Sequence, residues 1–268
     1  MAYTKLIPQQ IHGGRVEEIS HEASHYLLSL PQGKAGEYRL AQLDDYAKTA
    51  RKDFHHRPPV TLRLAARTSS NAIPGTWGFG FWNYPFGMSL GFSEDGFRLP
   101  ALPNTAWFFG ASEENYLSFQ DHRAVANGFL AQTFRSPKFD LRLIPAGLAL
   151  PFSRRTTRRL LGKCIQEDGV QLWDPAAGRR SQEPDPGLHR IDPTQWHRYE
   201  MEWRKNGVSF RVEDELVFES VVSPRGPLGL VIWIDNQYAA FTPEGKIGFG
   251  VLENPEPVWL EIKEIEIR

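Results

Sequence analysis

The chain has 268 residues and a net charge of -1. That length suits one large all-β domain or two ordinary ones. A near-neutral chain has no global field to recruit nucleic acid or an anionic membrane, so neither is an expected partner.

Hydrophobic residues make up 41% of the sequence, with eight Trp and seventeen Phe. β-rich proteins use such residues in cross-strand pairs and in ligand platforms. The single Cys164 excludes an internal disulfide and a cysteine-built zinc site. The start, MAYTKLIPQQ, has no apolar h-region, and the longest apolar stretch, Leu228 to Ile234, is too short to span a bilayer. A cytoplasmic protein without a cofactor is the expectation, and a secreted protein trimmed of its leader would read the same.

Residues 1–20 are polar and read as an irregular N-terminal extension; residues 21–268 read as a single domain. The pentad HEASH matches the H-E-x-x-H zinc pattern, with His21 and His25 as ligands and Glu22 as general base. That chemistry needs the pentad on a helix. Here it runs into YLLSLP, a strand ended by a proline, so no metal site is expected.

EYRLAQLDDY, Glu37 to Tyr46, is the next strand, with Tyr38, Leu40, Gln42, Asp44 and Tyr46 on one face. Gln42 and Asp44 between tyrosines suit sugar hydroxyls, which want bidentate partners beside an apolar surface. A polar strand end facing solvent is the other reading. His55-His56 is in a loop, and adjacent histidines on extended chain face different ways. Val60 to Arg67 is a strand.

IPGTWGFGFWNYP, Ile73 to Pro85, begins with a Pro74-Gly75 turn. Trp77, Phe79, Phe81 and Asn83 point one way; Gly78, Gly80 and Trp82 point the other. Glycines at alternate strand positions mean either an open trough beside Trp82 or a face crowded by a neighbouring aromatic. Residues 84–104 are loop-rich. TAWFFGA, Thr105 to Ala111, is apolar on both faces and should be a central strand. Glu113 and Glu114 follow in a turn, then strand Tyr116 to Gln120, a loop at Asp121-His122 and strand Gly128 to Phe134.

Pro151 to Ile165 is the one helix candidate, capped by Ser153, with a basic face of Arg154, Arg155, Arg158 and Arg159. Glu167-Asp168-Gly169 reads as a turn, and residues 174–194 as a loop.

Trp196 to Ser220 alternates with period two and predicts a three-stranded meander. Asn206-Gly207 is its expected first turn and Glu213-Asp214 its second. Val208, Phe210, Val212, Leu216 and Phe218 are its expected inward set. Leu228 to Ile234 reads as a central strand ending in Asp235-Asn236-Gln237, with Asp235 on the face of Val231 and Trp233. Val258 to Ile267 changes phase near Lys263-Glu264, which predicts a β-bulge. A dozen short strands and an aromatic core make an all-β, two-sheet antiparallel sandwich.

The chain resembles the concanavalin A-like lectin and glucanase jelly rolls, and most of all the family-16 glycoside hydrolases such as laminarinases and lichenases. PGTWGFGFWN is similar to that family's G-x-W-P-A-F-W strand. WHRYEMEWRKNGVSFRVEDELV is similar to its H-x-Y-x-x-E-W…I-x-F-x-V-D-G hairpin, and LEIKEIEI to its closing strand. The resemblance spans about residues 20–268 and implies a jelly roll that binds or processes a glycan.

The family's E-x-D-x-E strand is not matched. TAWFFGAS stands in that place without a carboxylate, and Glu200-Met-Glu202 is on the wet face of the meander. Retaining hydrolysis needs two carboxyl groups about 5 Å apart. A saccharide is therefore expected on Trp82, Trp107 or Trp233, held by Gln42, Asn83, Asn236 and Gln237. The alternatives are an enzyme acting on a small molecule with Asp235 or Asp44 as general base, and a non-catalytic interaction domain.

Overall fold

The computed structural model describes residues 5–85, 101–117, 128–137, 165–174, 191–241 and 247–268. They form two seven-stranded antiparallel sheets and a three-stranded one. The first sheet runs β1 (Ile7–Ile11), β4 (Leu40–Asp44), β14 (Gly229–Asp235), β6 (Thr76–Trp82), β7 (Thr105–Ala111), β9 (Gly128–Arg135), β10 (Gln166–Trp173). The second runs β13 (Glu215–Ser220), β12 (Gly207–Val212), β11 (His197–Arg204), β5 (Val60–Thr68), β17 (Val258–Ile267), β3 (His25–Leu30), β2 (Arg15–Ser20). The small sheet is β16 (Ile247–Val251), β15 (Gln237–Phe241) and β8 (Tyr116–Leu117), with β15 and β8 parallel. This is the jelly-roll sandwich that the strand pattern predicts.

Strand period two divides the first sheet's residues between two faces. Trp77, Phe79 and Phe81 of β6, with Phe108 of β7, turn inward and join Tyr199, Met201, Trp203 and Phe210 of the second sheet in the main core. Phe79 and Phe108 lie 5.1 and 5.0 Å from the Tyr199 ring across the sandwich. Each such aromatic, fully buried, contributes about 2–3 kcal/mol before entropy is counted. The alternate residues, Trp82, Trp107, Phe109, Leu130, Phe134, Val231 and Trp233, form a second apolar cluster on the outer face of the first sheet. β7 and β14 are buried along their whole length and flanked on both sides, as their apolar sequences require.

Four local expectations are corrected. Residues 7–11 and 15–20 are strands, β1 in the first sheet and β2 in the second. Glu167-Asp168-Gly169 is not a turn: these residues pair with Phe134, Thr133 and Gln132 in β10. The meander's first turn is Lys205-Asn206, because Arg204 pairs with Gly207 and neither turn residue has positive φ. Leu216 is 47% exposed, since a register shift between Phe210 and Arg211 turns Val217 inward instead. The second turn stands as expected, with Glu213 and Asp214 at φ 50° and 69°. So does the bulge: the β17–β5 register shifts after Lys263, and Glu264 has φ 57°. The helix expected over Pro151 to Ile165, with Cys164, lies outside the described residues except for Ile165. Residues 118–120, Asp121-His122 and most of the loops at 84–104 and 174–194 lie outside them too.

Candidate functional site

The outer face of the first sheet can be mapped from its ladders. Asp235 of β14 sits between Leu40 of β4 and Thr76 of β6. One step along, Trp233 sits between Gln42 and Gly78, and then Val231 between Asp44 and Gly80. Phe109 and Trp107 of β7 continue these two rows beyond Gly78 and Gly80. Aromatic side chains thus alternate with glycines across the face, which leaves each large ring room to lie over a neighbour.

The three predicted tryptophans are brought together. Trp82 and Trp233 stack at 6.0 Å with 5° between their planes, and Trp107 lies 5.4 Å from Trp233. A Cβ on Gly78 would meet Trp233 Cη2 at 2.8 Å, and one on Gly80 would meet Trp107 Cβ at 2.7 Å. The glycines therefore accommodate aromatics, and the open trough beside Trp82 is replaced by a filled face. Trp82, Trp107 and Trp233 are 7%, 4% and 5% exposed.

Each indole N–H also has a partner within the chain. Trp82 Nε1 donates to the Tyr46 hydroxyl at 2.6 Å, and Trp107 Nε1 donates to Gln132 Oε1 at 3.3 Å. Trp233 Nε1 donates to Thr76 Oγ1 at 2.9 Å. Buried indoles need such partners, and here they fix all three ring orientations.

Asp235 ends β14 at the rim of this layer and is 8% exposed. Its Oδ1 accepts from Thr76 Oγ1 at 2.7 Å and from the Gln237 amide at 3.3 Å. Its Oδ2 faces the Tyr38 hydroxyl at 3.4 Å. Burial disfavours the carboxylate more than these donors favour it, so its pKa is pushed up to about 7. Burial, and then the adjoining Asp235 charge, push the Tyr38 phenol well above its ordinary value, so it stays a donor at neutral pH.

Asp44 has a different setting. Its Oδ1 accepts from the amides of Tyr46 and Ala47 at 3.0 and 2.7 Å, closing the turn after β4. Its Oδ2 accepts from Gln42 Nε2 at 2.8 Å. Burial raises its pKa, and the three donors oppose that rise. Gln42 Nε2 also reaches the Tyr46 hydroxyl at 3.3 Å, so Gln42, Asp44, Tyr46 and Trp82 form one network.

The other predicted ligand residues hold backbone. Asn83 donates to the Leu102 carbonyl and accepts from the Asn104 amide, pinning the segment after β6 to the one before β7. Asn236, fully buried, accepts from the Arg39 amide and donates to the carbonyls of Glu37 and Leu252. Gln237 enters the site through its backbone amide.

HEASH is a turn leading into β3, not a helix. His21 Nδ1 pairs with Glu18 and His25 Nε2 with Glu261. Among the described residues no group of three His, Cys, Asp or Glu side chains is placed to hold a metal ion.

Thr76 and Gln132 were not singled out in the sequence. Thr76 opens the glycine–tryptophan strand β6 and shares the face of Gly78, Gly80 and Trp82 by period two. That alternation was the available signal. Nothing in the sequence pairs it with Asp235, 159 positions away.

No family model matches the sequence, and no curated protein matches it. Several solved structures are similar in fold at low identity. A GlcNAcα1-4Gal-releasing endo-β-galactosidase from Clostridium perfringens is 11% identical with a TM-score of 0.46; the match covers 99% of this chain and 59% of that one. A lichenase from a mouse hindgut metagenome is 10% identical with a TM-score of 0.44, covering 94% and 81% of the two chains. The catalytic domain of a laminarinase from Thermotoga petrophila RKU-1 is 9% identical with a TM-score of 0.43, covering 99% and 92%. Thus the chain spans just under two thirds of the first of these structures and most of the other two.

Proposed function

We propose that the chain binds a saccharide at the Asp235 end of the outer face of the first sheet, and that Asp235 handles a proton there. The observation that carries this reading is a buried carboxyl pushed up to about 7 at the rim of a tryptophan layer. A carboxyl balanced between its two forms at neutral pH can donate to a ligand oxygen or accept from a ligand hydroxyl. Trp233 supplies the apolar flank, and Tyr38 supplies a phenol that keeps its proton. The ligand belongs at this end because the middle of the face is filled by stacked rings.

Standard two-carboxylate hydrolysis is outside the proposal. Asp44 and Asp235 are four residues apart along the β4–β14 ladder, which is roughly 13 Å in the strand direction. Retaining and inverting glycosidases hold their pair at about 5 Å and about 6.5–9.5 Å. A non-catalytic role for the face has one observation in its favour: all three indole N–H groups are bonded within the chain.

A panel of neutral and acidic oligosaccharides, titrated calorimetrically against wild type and Asp235→Asn, tests the reading. Binding by the wild type that weakens tenfold or more in the variant is the expected result. Binding of no oligosaccharide, or equal binding by both proteins, overturns it.

A further inference from the structure

Thr76 sits between an obligate donor and a carboxylate. An indole nitrogen only donates, so Trp233 Nε1, at 2.9 Å, claims a lone pair of Thr76 Oγ1. The hydroxyl has one proton, and Asp235 Oδ1 is the acceptor 2.7 Å away. The proton's direction is therefore fixed by the neighbour on the other side. Oδ1 also takes the Gln237 amide, whereas Oδ2 makes the long contact with Tyr38 at 3.4 Å; the Thr76 amide adds a further donor to the carboxyl.

We propose that Trp233 and Thr76 form a positioning relay that commits Oδ1 of Asp235 to the protein and leaves Oδ2 as the oxygen that exchanges a proton with a bound ligand. This rests on the reading of Asp235 as the proton-handling group. Trp233 and Thr76 act through Asp235 and are positioning residues. Protonation of Asp235 puts the proton on Oδ2, because Oδ1 already faces two donors. Oδ2 then donates to a ligand oxygen; the charged form accepts a ligand hydroxyl at the same atom. Tyr38 is the titratable group facing this carboxyl, from the segment before β4. β6 contributes the Thr76 hydroxyl, and β15 the Gln237 amide.

The test follows the Asp235 carboxyl carbon by NMR titration in the ligand-free protein with labelled aspartate, assigned by its loss in Asp235→Asn. Thr76→Val keeps the side chain's shape and removes the donor. It should raise proton affinity at Asp235 about tenfold, one pH unit in midpoint. Thr76→Ser should restore the wild-type midpoint. Trp233→Phe frees the hydroxyl to rotate and should shift the midpoint in the same direction by less. An unchanged midpoint in Thr76→Val, or a shift that Thr76→Ser does not reverse, overturns the relay. A shifted midpoint in a protein that binds no oligosaccharide leaves the relay standing and removes the saccharide reading alone.

Discussion

Asp44 and Asp235 end neighbouring strands on the same face of one sheet, yet Asp44 faces Val231 across the ladder while Asp235 faces Leu40. Antiparallel pairing puts the two strand ends at opposite margins of the face. Their environments follow. Asp44 closes a turn with Oδ1 and holds Gln42 with Oδ2, whereas Asp235 keeps one oxygen lightly held.

That asymmetry predicts unequal responses to the same substitution. Asp44→Asn brings a donor amide against backbone amides and Gln42, so at least one buried donor loses its acceptor. The expected cost is about 1–3 kcal/mol. Asp235→Asn keeps an acceptor for Thr76 and can direct its NH2 at the Tyr38 oxygen, so about 1 kcal/mol or less is expected at pH 6. Urea unfolding of both variants checks this. Equal losses, or a larger loss at Asp235, would contradict it.

The raised pKa of Asp235 also makes stability depend on pH with a definite sign. The folded value is about 7 against an ordinary 3.8, so the folded protein holds a proton that the unfolded chain has released between those limits. Stability from this group is present below pH 4, falls as pH rises towards 7, and levels off above that. The full change is on the order of 4 kcal/mol. Glu202 and Glu213 are held below their ordinary values, the first by Arg204 and the second, against its burial, by Arg198, and contribute with the opposite sign. The difference between wild type and Asp235→Asn isolates the effect. The variant should gain on the wild type from pH 5 to pH 8 and be the more stable of the two at pH 8. A difference that stays flat over that range would refute the prediction.

Gly78 supports a third prediction. A Cβ there would lie 2.3 Å from the Phe108 carbonyl oxygen and 2.8 Å from Trp233 Cη2. The carbonyl belongs to the β6–β7 ladder and has little freedom to move, so β6 must shift locally and Trp233 must yield as well. Gly78→Ala should cost about 3 kcal/mol and loosen the bond from Trp233 to Thr76. Red-shifted tryptophan emission is the optical sign. Gly248→Ala is the control, since its Cβ would meet nothing nearer than 3.8 Å. Equal stability of the two variants would show that the face has slack.

The frame of the fold was legible where a strand's surroundings are uniform. β7 and β14 are covered on both faces, and an all-apolar sequence says so directly. β11 and β12 have one wet and one buried face and alternate accordingly. Among the described residues β1, β2 and β10 end their sheets, and polar residues are tolerated at such edges. IPQQI, RVEEIS and QEDGVQLW therefore carry no clear pattern. Asn206-Gly207 misled because a strong turn dipeptide competes with a ladder that places the turn one residue earlier. At the candidate site, period two grouped Gln42 with Asp44 on β4, Trp82 with the glycines on β6, and Asp235 with Trp233 on β14, strand by strand. It gave no distance between Asp44 and Asp235. Neither did it show that the rings would fill the space over the glycines, because both depend on register and rotamer.

A buried pair outside the site gives the last prediction. His56 Nε2 lies 2.5 Å from Asp45 Oδ2, with side chains 8% and 0% exposed. Asp45 Oδ1 accepts from the Leu230 amide at 2.9 Å. His56 exchanges backbone hydrogen bonds with Leu228 in both directions, and its ring lies 4.8 Å from Phe81. The pair therefore ties the chain before β5 to the start of β14. His56→Ala strips a buried carboxylate of one donor, and Asp45→Ala strands both the imidazole and the Leu230 amide. Each should cost about 3 kcal/mol or more. The double variant removes both partners and should lose less than the sum, with a coupling of about 1–3 kcal/mol. Additive losses in a denaturation cycle would mean that each residue acts through packing alone, His56 on Phe81 and Asp45 on the turn.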